Sequence, residues 1–170
     1  TLEELQAAAN VPCEMPILKS AFIFSALTGL RWSDIEKLVW SEVQHSEQSG
    51  YYIRFRQKKT KGAETLPISE QAFSLLGERR KQDDKVFDGL YYSAWHNLKL
   101  REWVMKAGIT KHITFHCARH TYATLQITLG TDIYTVSKLL GHRHLKTTEI
   151  YAKVIDHKKQ EAANKIKIDL

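Results

Sequence analysis

The sequence predicts a mainly α-helical domain with one small antiparallel β-sheet, an α+β fold. Three observations carry this. Apolar residues recur at helical spacing over 15–27, over 91–107 and again from Phe115 on, and each run closes near a glycine. Strict alternation is confined to 51–57, where Tyr51, Ile53 and Phe55 face one way and Tyr52, Arg54 and Arg56 the other. A second short stretch, 63–68, follows across the basic turn Lys58-Lys59-Thr60-Lys61-Gly62, so the pair reads as a hairpin. With 170 residues and 43% hydrophobic content, the chain can bury a full core as one domain, 1–170.

The elements follow in order. Thr1-Leu2-Glu3-Glu4 reads as a capping box that opens a first helix, broken at Asn10-Val11-Pro12. Residues 15–27 are apolar around most of the circumference and predict the central buried helix. Thr28-Gly29-Leu30-Arg31 ends it and leaves Arg31 on a turn at the edge of the core. Ser33 is the expected cap of a short helix over 34–39, with Asp34 close enough in sequence to orient the Arg31 guanidinium. Residues 44–50 are polar and read as a loop. Pro67 assigns the second strand to a sheet edge. Ser69 caps a helix expected to reach Arg80, and 91–107 form the next long one, stopped by Gly108.

Thr114 is the expected cap of a helix that carries His116 and Arg119, three apart and therefore on one face. Both fall in the first turns, where free N–H groups and the positive dipole end favour an anion. A guanidinium grips two phosphate oxygens at once, and an imidazole adds a further hydrogen bond. Gly130 ends that helix, Thr131 is expected to cap the next, and Gly141 leaves His142 on a turn. Tyr151, nine residues after His142, is expected on a short third helix. Residues 156–168 read as a lysine-rich amphipathic tail.

Charge points the same way. The net charge is +6, which favours a polyanionic partner such as nucleic acid. Between Arg54 and Lys61 stand five positive residues (Arg54, Arg56, Lys58, Lys59 and Lys61) and no acid, a pattern suited to a DNA backbone. Cys13 and Cys117 form no metal or disulfide pattern and read as free thiols. The sequence contains neither an 18-residue apolar run nor a signal-peptide pattern, so the expectation is a soluble cytoplasmic protein with no membrane partner.

Taken together, Thr28-Gly29-Leu30-Arg31, a hairpin lysine, His116-x-x-Arg119-His120-Thr121, Leu139-Leu140-Gly141-His142 and Tyr151 resemble the catalytic domain of the tyrosine recombinases, the phage-type integrases. The resemblance covers nearly the whole chain. It implies that Arg31 and Arg119 are the two catalytic arginines, His116 the histidine of H-x-x-R, and His142 the position held by His or Trp. It makes Tyr151 the nucleophile. Counting back from Pro67 selects Lys59 as the hairpin lysine, with Lys58 and Lys61 as runners-up. Asp34 matches an acidic support position, and His120 a supporting position behind the site. Arg54, Arg56, Lys58 and Lys61 are expected to touch DNA.

The resemblance further implies strand cleavage and rejoining through a 3′-phosphotyrosyl bond, with no metal, no ATP and no other cofactor. The implied partners are double-stranded DNA and further copies of the chain, as a tetramer on DNA, and no small-molecule substrate. The implied setting is the bacterial nucleoid and a mobile element such as a phage or transposon. Relatives of this kind carry an additional N-terminal DNA-binding domain, and only thirty residues precede Arg31 here, so that domain is expected to lie outside this chain. Residues 156–170 are the candidate tail for exchange with a neighbouring protomer. Two rival classes remain. One is a metal-dependent hydrolase using His116 and His120, although the glutamate of H-E-x-x-H is missing. The other is a non-catalytic DNA-binding module or decayed recombinase.

Overall fold

A computed structural model of the chain describes residues 1–169; Leu170, the last residue of the expected tail, lies outside the described residues. The chain forms two compact units, with the boundary between Tyr122 and Ala123 inside one helix. The architecture is mainly helical with one three-stranded antiparallel sheet, as the sequence predicts.

In the first unit, α1 (Leu2–Ala9) opens on the predicted capping box: the Thr1 side chain accepts the Glu4 N–H while the Glu4 carboxylate takes the Thr1 amine. α2 (Pro16–Thr28) is the central helix, with Leu18, Ala21, Phe22, Phe24, Ser25 and Ala26 buried. Full burial of a Leu or Phe side chain contributes about 1.5–3 kcal/mol, so this helix anchors its unit. Phe22 meets Trp103 and Phe115 edge-on at 5.6 and 5.7 Å. The Trp103 indole N–H donates to the Ala8 and Val11 carbonyls, both at 3.0 Å, and so closes the end of α1 over the same core.

α3 (Trp32–Lys37) starts earlier than the Ser33 cap predicts. Arg31 occupies the cap position, because its carbonyl accepts the Asp34 and Ile35 N–H groups, each at 3.0 Å. β1 (Val43–Ser46), β2 (Gly50–Arg56) and β3 (Ala63–Pro67) pair antiparallel in that order, with Ile53 opposite both Val43 and Leu66. The expected loop at 44–50 therefore conceals an edge strand. Such a strand pairs through its backbone and needs few apolar side chains. Ile53, Phe55 and Leu66 are buried while Arg54 and Arg56 are exposed, as the alternation requires.

α4 (Glu70–Ser74) has the predicted Ser69 cap but stops well short of Arg80. Arg79 instead reaches the Val43 and Trp40 carbonyls at 3.0 and 2.8 Å, which holds its backbone out of the helix. α5 (Ala94–Lys106) is capped by Ser93, so Tyr91 and Tyr92 precede it rather than open it. α6 (His116–Thr128) begins two residues after Thr114. The Thr114 hydroxyl lies against the Cys117 sulfur rather than on a backbone N–H, so it is not the cap.

The second unit holds the remainder of α6, then α7 (Ile133–Leu139), a 3-10 helix (Leu145–Tyr151) and α8 (Ala152–Ala163). α7 is capped by Asp132 rather than Thr131: the carboxylate takes the Thr135 N–H at 2.8 Å, while the Thr131 hydroxyl is bound to Gln126. That contact with Thr135 holds the Asp132 carboxyl below its ordinary range. Ala123, Ile127, Val136, Ser137, Leu140, Thr148 and Tyr151 are buried among the described residues here. α8 contains the first part of the predicted amphipathic tail, and Lys158 donates to the Thr128 carbonyl at 2.6 Å. Among the described residues, no helix is long and apolar enough to cross a membrane.

Candidate active site

The first unit gathers Arg31, Lys59, His116 and Arg119. The turn before Arg31 is rigid. Gly29 adopts φ 77°, a conformation that costs other residues about 1–2 kcal/mol, and its N–H reaches the Ser25 carbonyl at 2.7 Å. Ser25 Oγ donates to the Leu30 carbonyl and Thr28 Oγ1 to the Phe24 carbonyl, both at 2.7 Å. Arg119, buried in the second turn of α6, donates from Nη1 to the Gly29 carbonyl at 2.7 Å. One guanidinium therefore braces the turn that carries the other. Arg31 Nη1 is buried with no hydrogen-bond partner among the described residues. A buried cationic donor without an acceptor is costly in a folded protein and marks a place for an anion.

His116 lies at the start of α6 with part of its surface open to solvent. Its ring meets His120 edge-on at 4.5 Å. Partial burial holds the His116 pKa below its ordinary value, and the positive charges of His120, Arg119, Arg31 and Lys59 push it further down. His120 is lowered too, by burial and then by Arg119. In an NMR titration His116 is expected to protonate below the ordinary midpoint, about pH 6.5, and Lys59→Ala to move it upward. Because the folded-state pKa is depressed, the unfolded chain binds more protons in that window. The contribution of His116 to stability is thus full above about pH 6.5 and is lost as pH falls through its lowered folded-state pKa. A midpoint at or above that of an unfolded histidine would contradict this geometry.

The hairpin is held by Asp34. Its carboxylate accepts the Lys58 backbone N–H at 2.9 Å and makes no ion pair with Arg31, contrary to the expectation from their nearness in sequence. The reason is tertiary: the end of β2 returns against α3, where that N–H needs a partner. Asp34→Ala is expected to lower stability by about 1–3 kcal/mol in urea denaturation and to speed proteolysis of the turn, whereas Asp34→Asn keeps an acceptor and stays near wild type. Equal losses in both variants would count against the hydrogen bond. Lys58 Nζ lies 4.0 Å from Glu36, which Lys85 also approaches at 3.8 Å. Arg56 donates to the Lys61 carbonyl at 2.9 Å, and Lys61 itself turns through φ 60°. Lys59 is the exposed turn lysine whose charge is felt at His116.

His142 and Tyr151 belong to the second unit. Gly141, at φ 69°, closes α7, and the His142 N–H reaches the Ser137 carbonyl at 3.0 Å. His142 Nδ1 is bound to Thr148 Oγ1 at 2.7 Å, with Thr148 fully buried in the 3-10 helix. Tyr151 ends that helix and is buried. Thr148 and the Gly29 carbonyl were not foreseeable as site elements, since both act through contacts between distant or non-periodic positions. Among the described residues, no three His, Cys, Asp or Glu side chains converge as a metal site.

Residues 1–158 match the phage integrase family. The chain belongs to that family. A curated member of it, the tyrosine recombinase XerA of Saccharolobus solfataricus, is 32% identical over 132 residues, which span 75% of this chain and 43% of XerA. Among solved structures, the catalytic domain of bacteriophage HP1 integrase superposes with a TM-score of 0.66 at 27% identity, covering 97% of this chain and 89% of that one. XerH site-specific recombinase bound to palindromic difH substrate superposes with a TM-score of 0.71 at 18% identity, covering 96% of this chain and 50% of XerH. This integrase-family chain therefore spans less than half the length of the curated relative it matches.

Proposed function

We propose that this chain is the catalytic domain of a site-specific DNA recombinase or integrase, acting on double-stranded DNA through a 3′-phosphotyrosyl intermediate. The observation that carries the reading is the grouping of Arg31, Arg119, Lys59 and His116, with a buried Arg31 nitrogen that has no partner among the described residues. Such a site takes a phosphodiester. The Tyr151 hydroxyl attacks phosphorus and loses its proton, with neutral His116 assisting. The bond to the 5′-oxygen breaks, and Lys59 supplies the proton that leaves with the 5′-hydroxyl. Arg31, Arg119 and His142 stabilise charge on the non-bridging oxygens, roughly 3–4 kcal/mol each by the usual worth of such donors. Rejoining reverses these steps, so the phosphodiester energy is conserved.

Support for DNA as the partner comes from the net charge of +6, from the exposed Arg54 and Arg56 on β2, and from the DNA-bound state of XerH. Asp34 and His120 are positioning residues, the first for the hairpin and the second beside His116. We also propose that several copies assemble on DNA, and that the segment after α8, where Ile166 and Ile168 are exposed, reaches a neighbouring copy.

The test is covalent trapping on duplex DNA that carries 5′-bridging phosphorothiolates, drawn from sequence flanking the coding region. A protein–DNA adduct on a denaturing gel is the expected result. Lys59→Ala should form adducts slowly on ordinary DNA but at near wild-type rate on the phosphorothiolate, because a thiolate leaves without a general acid. If Lys61→Ala shows that rescue instead, the general acid lies two residues further along the turn.

A further inference from the structure

A cavity of about 280 Å³ opens beside His116, and nothing in the proposed chemistry uses it. Its walls include Trp32, Tyr92, His96, Leu100, Phe115 and His116. Trp32 is the centre of an aromatic cluster: Phe115 meets it edge-on at 4.8 Å, Tyr92 edge-on at 6.5 Å, and His96 lies at 6.4 Å. Pockets that take whole drug-sized ligands measure roughly 300–1,000 Å³, so this one suits a single planar ring system.

Position selects which ring. Trp32 directly follows Arg31, and Phe115 directly precedes the helix of Arg119, which His116 opens. The two segments that supply the guanidinia thus also supply the walls. A phosphodiester held by the arginines places the attached nucleoside next to the cavity. His96 adds a polar preference. It is buried, and its Nδ1–H donates to the Tyr91 carbonyl, which leaves Nε2 as an acceptor without a donor among the described residues. The exocyclic amine of adenine or cytosine is a complementary donor.

We propose that this cavity receives one unpaired nucleobase from the nucleotide next to the bound phosphate, stacked on Trp32 and flanked by Tyr92. The inference rests on the reading of the site as a phosphodiester site. The local duplex must open for the base to enter, and stacking on the aromatic walls offsets that cost.

The experiment uses the full chain and short duplexes with one unpaired adenine, with an abasic residue in its place, or fully paired. Affinity is read by fluorescence anisotropy and the Trp32 indole N–H by NMR. The unpaired adenine should bind at least about fivefold tighter than the abasic duplex and shift the Trp32 signal. Tyr92→Ala, at a side chain that is 77% exposed and so safe for folding, should erase that difference. Binding that is equal for adenine and abasic duplexes, or an unmoved Trp32 signal, overturns the base pocket while His116 and Arg119 shifts on DNA leave the phosphodiester reading intact. Failure to bind any of the duplexes overturns both.

Discussion

Replacing Tyr151 with phenylalanine should eliminate the covalent protein–DNA adduct altogether. The proposed reaction has one nucleophilic oxygen, and phenylalanine lacks it while keeping the ring. Tyr151 is buried at the junction of the 3-10 helix and α8, and the ring fills that space in either residue. Folding is therefore expected to change little, with a thermal midpoint within a few degrees of wild type, and DNA affinity to stay within about threefold, since phosphate contacts carry it. The measurement is trapping on phosphorothiolate DNA, with anisotropy run alongside. An undiminished adduct in Tyr151→Phe would remove Tyr151 as the nucleophile.

Arg119→Ala should slow adduct formation by about 10²–10³-fold, the usual cost of one preorganised donor at a developing oxyanion. Two effects combine. The variant loses a guanidinium that the proposed reaction sets against the phosphate, and it loses the 2.7 Å bond to the Gly29 carbonyl that braces the turn before Arg31. The arginines are consequently coupled: removing both should cost less than the product of the single losses, as expected for groups that share a contact. Arg119→Lys retains the charge but not the planar fork, and should recover only a small part of the rate. Single-turnover adduct rates for Arg31→Ala, Arg119→Ala and the double variant form the test. Strict multiplicativity would show that the brace is irrelevant to Arg31, and a rate within tenfold of wild type in Arg119→Ala would remove it from the charge-stabilising set.

Local chemistry made much of this chain legible. The capping box at Thr1, the apolar helix closed by Gly29, the alternation through Ile53 and Phe55 and the glycine stop before His142 are decided by residues close in sequence. The structure departs from these local signals where another group takes the contact. Ser33 and Thr114 look like helix caps, yet Arg31 takes the cap position of α3 and the Thr114 hydroxyl lies against the Cys117 sulfur. Asp34 looks like a partner for Arg31, yet it binds a backbone N–H 24 residues away. β1 was invisible because an edge strand is specified by its neighbour more than by its own side chains.

The sequence by itself determined the residue types for the proposed phosphodiester chemistry, their order, and the helices and turn on which they sit. Those depend on capping, periodicity and glycine, which act over a few residues. Only the tertiary structure decided that Arg119 braces the Gly29 turn, that Asp34 holds the hairpin, and that the Lys58 ammonium lies near Glu36. It alone revealed the aromatic cavity formed by Trp32, Tyr92 and Phe115. Each of these joins segments tens of residues apart, and no local preference encodes such a distance: it is set when the α2 core packs and every buried donor must find an acceptor.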